Sequence, residues 1–174
     1  MKILVVDDSK TIRMLVAECL KTLGHEVAYA ENGADCQQYV TDHIVDLIVM
    51  DVELPSLNGV DATEAIREIK KDDWFPIIFL TTHSDDNTFA NGILAGGDVH
   101  LLKLLNPIRL QLNVIAMERI YLMRQKLFNA QKTLQHLNLA LERLSLFDQL
   151  TSLANRRNFD NTFERQFAGA KPPL

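Results

Sequence analysis

The stretch ILVVDD at residues 3–8 places two aspartates directly after four apolar residues. Three further apolar runs in the first hundred residues end in the same manner, on Asp51, Thr81 and Lys103. A continuous apolar run is typical of a parallel strand that is buried on both faces. Because ligands of open α/β sheets bind at the carboxyl ends of the strands, we expect these four endings to meet in one crevice.

Helical patterns separate the runs. After the first run, an apolar stripe from Ile12 to Leu23 predicts a helix that Ser9 caps and Gly24 stops. Strands and helices keep alternating to about residue 102, which indicates βαβ units and a parallel α/β sheet. We expect strands at 2–6, 26–30, 47–51, 77–80 and 99–102, and helices near 33–41, 60–70 and 86–95.

The composition is that of a globular chain. Its 174 residues are 47% hydrophobic and 24% charged, enough for one domain with an appendage. No apolar stretch approaches the ~20 residues of a membrane span, and the start MKILVV lacks a signal-peptide pattern. We therefore expect a cytoplasmic protein without a membrane partner. Cys19 and Cys36 show no metal-ligand spacing, and we expect both to be reduced packing residues.

Charge divides the chain into two parts. Residues 1–103 hold 8 Lys and Arg against 18 Asp and Glu, whereas residues 104–174 hold 10 against 5. The cations of the second part are scattered along a leucine-rich helical pattern and form neither a clustered patch nor a helix-turn-helix motif. We therefore expect no nucleic-acid partner.

The second part opens with a long helical pattern. From Pro107, a favourable first-turn residue, nothing breaks a helix until about Asp148, a length on the order of 60 Å at ~1.5 Å per residue. Apolar residues with 3-4 spacing predict a parallel two-stranded coiled coil, and an amphipathic helix folded back on its own domain stays open as the alternative. The coiled-coil positions are Ile120, Met123, Leu127, Ala130, Leu134, Leu137, Leu141 and Leu144.

The residues that end the four runs are those that phosphoryl transfer requires. The reaction needs a nucleophilic carboxylate, a divalent cation and donors for the phosphoryl oxygens. Asp51 is the isolated acid after the central predicted strand, and Asp7 and Asp8 follow the neighbouring one, so together they suit Mg²⁺. Thr81 offers a hydroxyl and Lys103 an ammonium for the phosphoryl group.

Four segments together resemble the response-regulator receiver family: VVDDS at 5–9, DVELPSLNGVD at 51–61, LTT at 80–82, and Lys103. The resemblance covers roughly residues 1–120. It implies a flavodoxin-like (βα)5 fold with strand order 2-1-3-4-5 and phosphorylation by a histidine kinase.

The resemblance also assigns a metal site. Asp51 would accept the phosphoryl group and belong to the Mg²⁺ site. Asp8 would bind the ion directly, and Asp7 would act mainly through water. The backbone carbonyl of Glu53 would complete the protein ligands.

Three positions next to this site concern the phosphoryl group and the switch. The resemblance implies that Lys103 and Thr81 hold the phosphoryl group and that Thr81 moves toward it. His100 stands at the position of the family's switch aromatic, where a pH-sensitive switch and a buried structural histidine both remain open.

Leu104 stands where the family commonly has proline. We expect a trans Lys103–Leu104 bond, because a cis bond before a non-proline residue costs ~2.5–4 kcal/mol.

The final segment, FDQLTSLANRRNFDNTFE at residues 147–164, has the pattern of a turn and an amphipathic helix, which alone would be a small cap on the coiled coil. It also resembles the opening of GGDEF diguanylate cyclase domains, in which Asn155 and Glu164 would contact the guanine of GTP. The metal-binding acids and GGDEF hairpin do not occur in this sequence, so we expect no cyclic di-GMP synthesis by this chain. The predicted parts are a receiver domain at 1–120, an extended helix at 107–147 and a GGDEF fragment at 148–174.

Two functions remain open from the sequence. In the first, phosphorylation of Asp51 changes how two long helices pair in a homodimer that also uses the face of helix four, strand five and helix five. That change would control a diguanylate cyclase output in a longer parent protein. In the second, the chain is a constitutively dimeric scaffold that docks a partner independently of phosphorylation.

Overall fold

The computed structural model describes residues 1–71, 73–83, 85–103 and 106–146, with side chains up to residue 141. The chain comprises two compact units, Met1–Met123 and Arg124–Leu174. Each unit is described by itself below.

The first unit contains a parallel sheet whose strands alternate with helices. The elements are β1 (Lys2–Val6), α1 (Lys10–Lys21), β2 (Glu26–Ala30), α2 (Gly33–Asp42), β3 (Leu47–Asp51), α3 (Gly59–Ile69), β4 (Ile77–Thr81), α4 (Asp86–Leu94), β5 (Val99–Leu102) and α5 (Pro107–Leu146). The strand order is β2-β1-β3-β4-β5, and every pairing is parallel. The predicted flavodoxin-like α/β fold with order 2-1-3-4-5 is confirmed.

The sheet is covered on both faces. One face carries a core that includes Val40 of α2 and Ile66 of α3, here called the α2/α3 core. The other carries a core that includes Leu20 of α1 and Val114 of α5, here called the α1/α5 core. β3 and β4 are buried at every position, which is why their sequences are continuous apolar runs.

Helix starts follow the capping rule with one exception. Asn32, Asn58 and Asp85 each accept a hydrogen bond from the backbone N–H three residues later. Ser9 holds the N-cap position of α1, as predicted, but its side chain makes no capping hydrogen bond among the described residues. Its backbone N–H instead donates to Asp7 Oδ1 at 2.8 Å, so the aspartate carboxylate organises this loop.

α5 begins at Pro107, as predicted, and continues to Leu146. In the second unit, the described side chains from Arg124 to Leu141 are exposed apart from the half-buried Gln125. The long helix is therefore confirmed, while its pairing as a coiled coil stays a prediction. The side chain of Leu144 lies outside the described residues. None of the described helices is both long and apolar enough to cross a membrane.

Both cysteines are free thiols that lie in helices, as predicted. Cys36 is fully buried in α2, and burial raises the pKa of its thiol to about 12. Cys19 is half-buried on α1 and packs against the α1/α5 core. Both cysteine side chains fill space next to the sheet.

Gly59 begins α3 directly against the end of β3. A Cβ built at Gly59 would overlap the backbone carbonyl oxygen of Asp51 and would lie 3.0 Å from Met50 Cγ. The absence of a side chain therefore lets α3 start close to the strand that carries Asp51.

We expect Gly59→Ala to lower the free energy of unfolding by roughly 1–3 kcal/mol, the usual cost of overpacking, because α3 must move away from β3. Urea unfolding followed by circular dichroism measures this loss. Glu64→Ala, on the exposed side of the same helix, is the control and should change stability by less than about 0.5 kcal/mol. Equal losses in the two variants would contradict the close packing.

Candidate functional site

Three carboxylates meet at the carboxyl ends of the two central strands. Asp7 follows β1, Asp51 ends β3, and Asp8 lies beside Asp7 in the loop. One carboxylate oxygen from each lies within 4.8 Å of the others. Asp7 and Asp51 are fully buried, whereas Asp8 is exposed. The crevice predicted from the apolar runs is therefore present in the first unit.

Strand register explains this meeting. β1 and β3 are neighbours, and Val6 pairs with Met50, so the next residue of each strand, Asp7 and Asp51, lies at the same level. Two donors then fix the Asp51 carboxylate: the backbone N–H of Glu53 reaches Oδ1 at 2.8 Å and Lys103 reaches Oδ2. The end of β3 thus holds its carboxylate in one orientation.

Lys103 faces the carboxylates from the end of β5. Its Nζ lies 2.6 Å from Asp51 Oδ2 and 3.1 Å from Asp7 Oδ2, and its side chain is 15% exposed. Asp7 Oδ2 nevertheless has no hydrogen bond of acceptable geometry from the residues that the structure describes. One ammonium therefore faces two buried acids and satisfies only one of them fully.

The electrostatics reflect burial and pairing together. Burial raises the pKa of Asp51 above its ordinary value, and the Asp7 charge adds to the rise, although hydrogen bonds from Lys103 and Glu53 oppose it. For Lys103, burial is the largest single influence and works to lower the pKa. The hydrogen bonds and charges of Asp51 and Asp7 together outweigh it, so the lysine pKa is raised.

The donor set fits a hard divalent cation. Carboxylate oxygens are the ligands that Mg²⁺ takes, and its remaining positions are usually filled by water, for which the exposed Asp8 leaves access. Asp7 Oδ2 is buried and ion-paired with Lys103 at 3.1 Å without a hydrogen bond of acceptable geometry, so it has capacity left for a cation or a bound water. Glu53, named from the sequence for its carbonyl, lies two residues after Asp51 at the same edge.

Thr81 and a small polar cluster border the site. Thr81 ends β4, is buried, and its Oγ1 accepts a hydrogen bond from the backbone N–H of His83 at 3.1 Å. Beyond it, Thr82 Oγ1 donates to the Glu53 carboxylate at 2.6 Å, and His83 Nδ1 contacts the same carboxylate. The Thr82 hydrogen bond is the main reason that the pKa of Glu53 is lowered. Sequence reasoning assigned no contact to the Glu53 side chain.

Arg13 is a further site residue that sequence reasoning missed. It is buried on α1, and its Nη1 donates to the backbone carbonyls of Asp7 at 2.6 Å and Asp8 at 3.1 Å. Its Nη2 pairs with Glu31 after β2. The sequence signal that was available is spacing: Arg13 lies three residues before Val16 and seven before Leu20, on the apolar face of the predicted helix, where a charge needs partners nearby.

His100 lies on the middle of β5, away from the carboxylates. Its half-buried ring packs against Phe79, with centroids 4.8 Å apart, and Phe89, at 5.3 Å. A Cβ at Gly92 would overlap the imidazole, so the missing side chain provides its space. Neither ring nitrogen has a hydrogen-bond partner within the described part of the chain, and burial lowers the pKa of the ring. The ring is thus held as a neutral aromatic group.

Some predicted residues lie outside the described part of the chain. They include Leu104, and with it the Lys103–Leu104 bond, and also Asn155 and Glu164. Among the described site residues, the structure brings together Asp7, Asp8, Asp51 and Lys103.

The model of the response regulator receiver domain family matches residues 3–115. The chain belongs to this family. Receiver domains are phosphorylated by histidine kinases and generally use Mg²⁺ at an acidic site. The cluster of Asp7, Asp8 and Asp51 agrees with this assignment, and a histidine kinase is the class of partner that it implies. The two-component response regulator class predicted from the sequence is confirmed.

Proteins similar to this chain bear names of different functional classes. It is 35% identical over 132 residues to an uncharacterized transcriptional regulatory protein, YrkP, of Bacillus subtilis, covering 76% of this chain and 55% of that protein. It is 33% identical over 109 residues to a chemotaxis protein CheY homolog of Campylobacter jejuni, covering 62% of this chain and 84% of that protein. The chain spans about half the length of the transcriptional regulators that it matches.

Solved structures show the same fold. The chemotaxis response regulator CheY4 of Vibrio cholerae superposes with a TM-score of 0.63 at 30% identity, covering 67% of this chain and 97% of that chain. A BeF3-activated DrrB receiver domain superposes with a TM-score of 0.61 at 32% identity, covering 68% and 97%.

We expect Asp51→Asn to raise the thermal unfolding midpoint of the metal-free protein at neutral pH. Folding raises the pKa of Asp51, so the ionised form of Asp51 lowers the free energy of unfolding. This penalty is fully present at a pH above the folded-state pKa and disappears at a pH below the unfolded-state pKa. The gain from Asp51→Asn should therefore shrink as the pH falls through this range. Calorimetry in EDTA measures it, with Glu64→Gln as the charge-matched control; a destabilised Asp51→Asn at neutral pH would contradict the assignment.

We expect Mg²⁺ to stabilise the wild type by about 2.7 kcal/mol when its free concentration is about a hundredfold above Kd, because only the folded chain gathers the three carboxylates. Asp8→Asn should weaken binding by roughly tenfold or more, while Glu64→Gln should bind as the wild type does. Isothermal titration and thermal shift measure both. Equal Mg²⁺ affinity in Asp8→Asn and wild type would show that the ion binds elsewhere.

Proposed function

We propose that the first unit is a phosphorylation-controlled receiver in which Asp51 takes a phosphoryl group from a histidine kinase. The observation that carries the proposal is the buried Asp51 carboxylate, bonded to Lys103 at 2.6 Å and grouped with Asp7 and Asp8. A nucleophile, a cation site and a phosphoryl-binding ammonium in one crevice are the parts of this reaction.

In the proposed reaction, an Asp51 carboxylate oxygen bonds to phosphorus while the bond from phosphorus to the kinase histidine nitrogen breaks. The electron pair of the broken bond stays on the imidazole, which takes up a proton. Lys103 turns from the Asp51 carboxylate to the new phosphoryl oxygens, and the Thr81 hydroxyl donates to them. Asp8, Asp7 through water and the Glu53 carbonyl would hold Mg²⁺, which would supply positive charge to offset the negative charge on the phosphoryl group.

The proposed switch consists of Thr81 and His100. Movement of Thr81 toward the phosphoryl group vacates space between β4 and α4, and the His100 ring turns into it. A cavity lined by Thr81, Phe89 and His100 supports this motion, because it lies beside the present position of the ring. The two unpartnered ring nitrogens also favour a position in which they reach water or a donor.

The proposed homodimer uses two exposed apolar surfaces. On the face formed by α4, β5 and α5, exposed fractions are 54% for Phe89, 83% for Leu94, 40% for Leu102, 63% for Ile108 and 60% for Leu112. Apolar patches of this kind mark interaction surfaces.

The second surface is the seam of the proposed coiled coil, whose described members run from Ile120 to Leu141 and whose last member is Leu144. Leu127, Leu134 and Leu141 are each more than 60% exposed in the single chain. A second copy of the same helix would cover them at 3-4 spacing. Phosphorylation then acts on pairing or register of the two helices.

The proposed output is a diguanylate cyclase in a longer parent protein, in the cytoplasm. Its support is the sequence of residues 148–174, where Asn155 and Glu164 match guanine-contacting positions. This chain should make no cyclic di-GMP from GTP, and a GGDEF hairpin encoded downstream of the receiver and helix would establish the output.

Beryllofluoride with Mg²⁺ tests the switch, because it mimics the phosphoryl group on Asp51. We expect a change in mass by light scattering or in spin-label distances along α5, and no change in Asp51→Asn. A dimer that is identical in both states would favour the alternative scaffold function. Failure of a small phosphodonor to modify Asp51 would reject the receiver chemistry itself.

A further inference from the structure

α5 contacts both cores of the first unit. Leu110, Val114 and Met117 pack on the α1/α5 core, whereas Tyr121 packs against the α2/α3 core on the other face of the sheet. These four residues follow a 4-3-4 spacing and therefore lie on one stripe of the helix. Tyr121 is thus the place at which this stripe passes from one core to the other.

The Tyr121 hydroxyl is attached to the beginning of the two central strands. It donates to Asp46 Oδ1 at 2.8 Å. The other carboxylate oxygen of Asp46 accepts from the backbone N–H of Lys2 at 2.7 Å, and the Asp46 N–H donates to the Lys2 carbonyl at 2.9 Å. Asp46 directly precedes β3 and Lys2 opens β1, so the acceptor is fixed by backbone on both sides. Hydrogen bonds to carboxylates are stronger than neutral ones.

Ile120 and Met123, the first two residues of the proposed seam, flank Tyr121. At ~100° per residue, Ile120 points about 100° and Met123 about 160° away from the direction of Tyr121. Their exposed fractions are 39% and 63%, whereas Tyr121 is half-buried. The contact that turns Tyr121 inward therefore turns the beginning of the seam outward.

We propose that Tyr121 is a positioning residue whose hydrogen bond to Asp46 fixes the rotation of α5 about its axis and thereby sets the face that a second copy meets. This inference rests on the proposed function, in which the seam pairs in a homodimer. The aromatic ring gives packing, and the hydroxyl adds a directed bond at the beginning of the seam, whereas the bonds of Gln111 to the Cys19 carbonyl and Thr22 Oγ1 hold α5 nearer its start.

Tyr121→Phe tests the hydroxyl while keeping the ring. Tyr29→Phe is the matched control, since it removes the hydroxyl of an exposed tyrosine on β2. Val45→Ala is the second control, since it removes core packing next to Asp46 and leaves the hydrogen bond in place. The first measurement is amide hydrogen exchange of α5 from Ala116 to Arg119, which precedes the proposed seam. We expect roughly tenfold faster exchange in Tyr121→Phe and no change in Tyr29→Phe.

The second measurement is the distance between nitroxide labels across the dimer, with beryllofluoride and Mg²⁺ added. The label is placed on Arg119→Cys in a Cys19→Ser background, because Arg119 is exposed and Cys36 is buried. We expect a narrow distance distribution in the wild type, Tyr29→Phe and Val45→Ala. In Tyr121→Phe it should be at least about twice as wide, while ¹⁹F spectra still show beryllofluoride on the protein.

Wild-type exchange and wild-type distances in Tyr121→Phe would overturn the inference. Distances that do not respond to beryllofluoride in the wild type would overturn the proposed function, and the exchange measurement would still decide the Tyr121 contact. If Tyr121→Phe does not fold, Asp46→Ala replaces it. Alanine has no side-chain acceptor for the Tyr121 hydroxyl, so the same loosening is expected, and its absence would contradict the proposal.

Discussion

The ammonium of Lys103 beside two buried carboxylates is the interaction on which the site depends. Asp7 and Asp51 are both fully buried, and two ionised carboxylates in such a place repel each other and lose their hydration. Lys103 offsets both effects at 2.6 and 3.1 Å, and its own raised pKa shows that it stays protonated there. The same charge that holds the acids together in the unmodified chain is then in place for a phosphoryl group.

Sheet register places these groups, because each comes from a different strand. Asp7 and Asp51 are level since Val6 pairs with Met50, and Lys103 follows the pairing of Thr81 with Leu102 at the other edge. A slip of one residue in any of these strands would turn its side chains to the opposite face of the sheet.

Much of the fold could be predicted because buried strands leave continuous apolar runs, and the ends of those runs named Asp7, Asp51, Thr81 and Lys103. Ser9 occupies the predicted N-cap position without the side-chain hydrogen bond of a cap, because a capping residue type carries only a local signal and the Asp7 carboxylate organises the same loop. Arg13 and the cluster around Glu53 were missed for a different reason. Their partners are backbone carbonyls and side chains from distant segments, and sequence spacing does not show such contacts. The hydrogen bond of Tyr121 is of the same kind, since its acceptor lies 75 residues earlier.

The buried thiol of Cys36 has a chemical consequence. Disulfide exchange and peroxide oxidation proceed through the thiolate, and a thiol with a pKa of about 12 supplies almost none of it at neutral pH. The fully buried sulfur also offers no surface for an oxidant or glutathione to approach. Oxidation of Cys36 is therefore disfavoured, and the proposed chemistry at Asp51 should not depend on the redox state of this thiol.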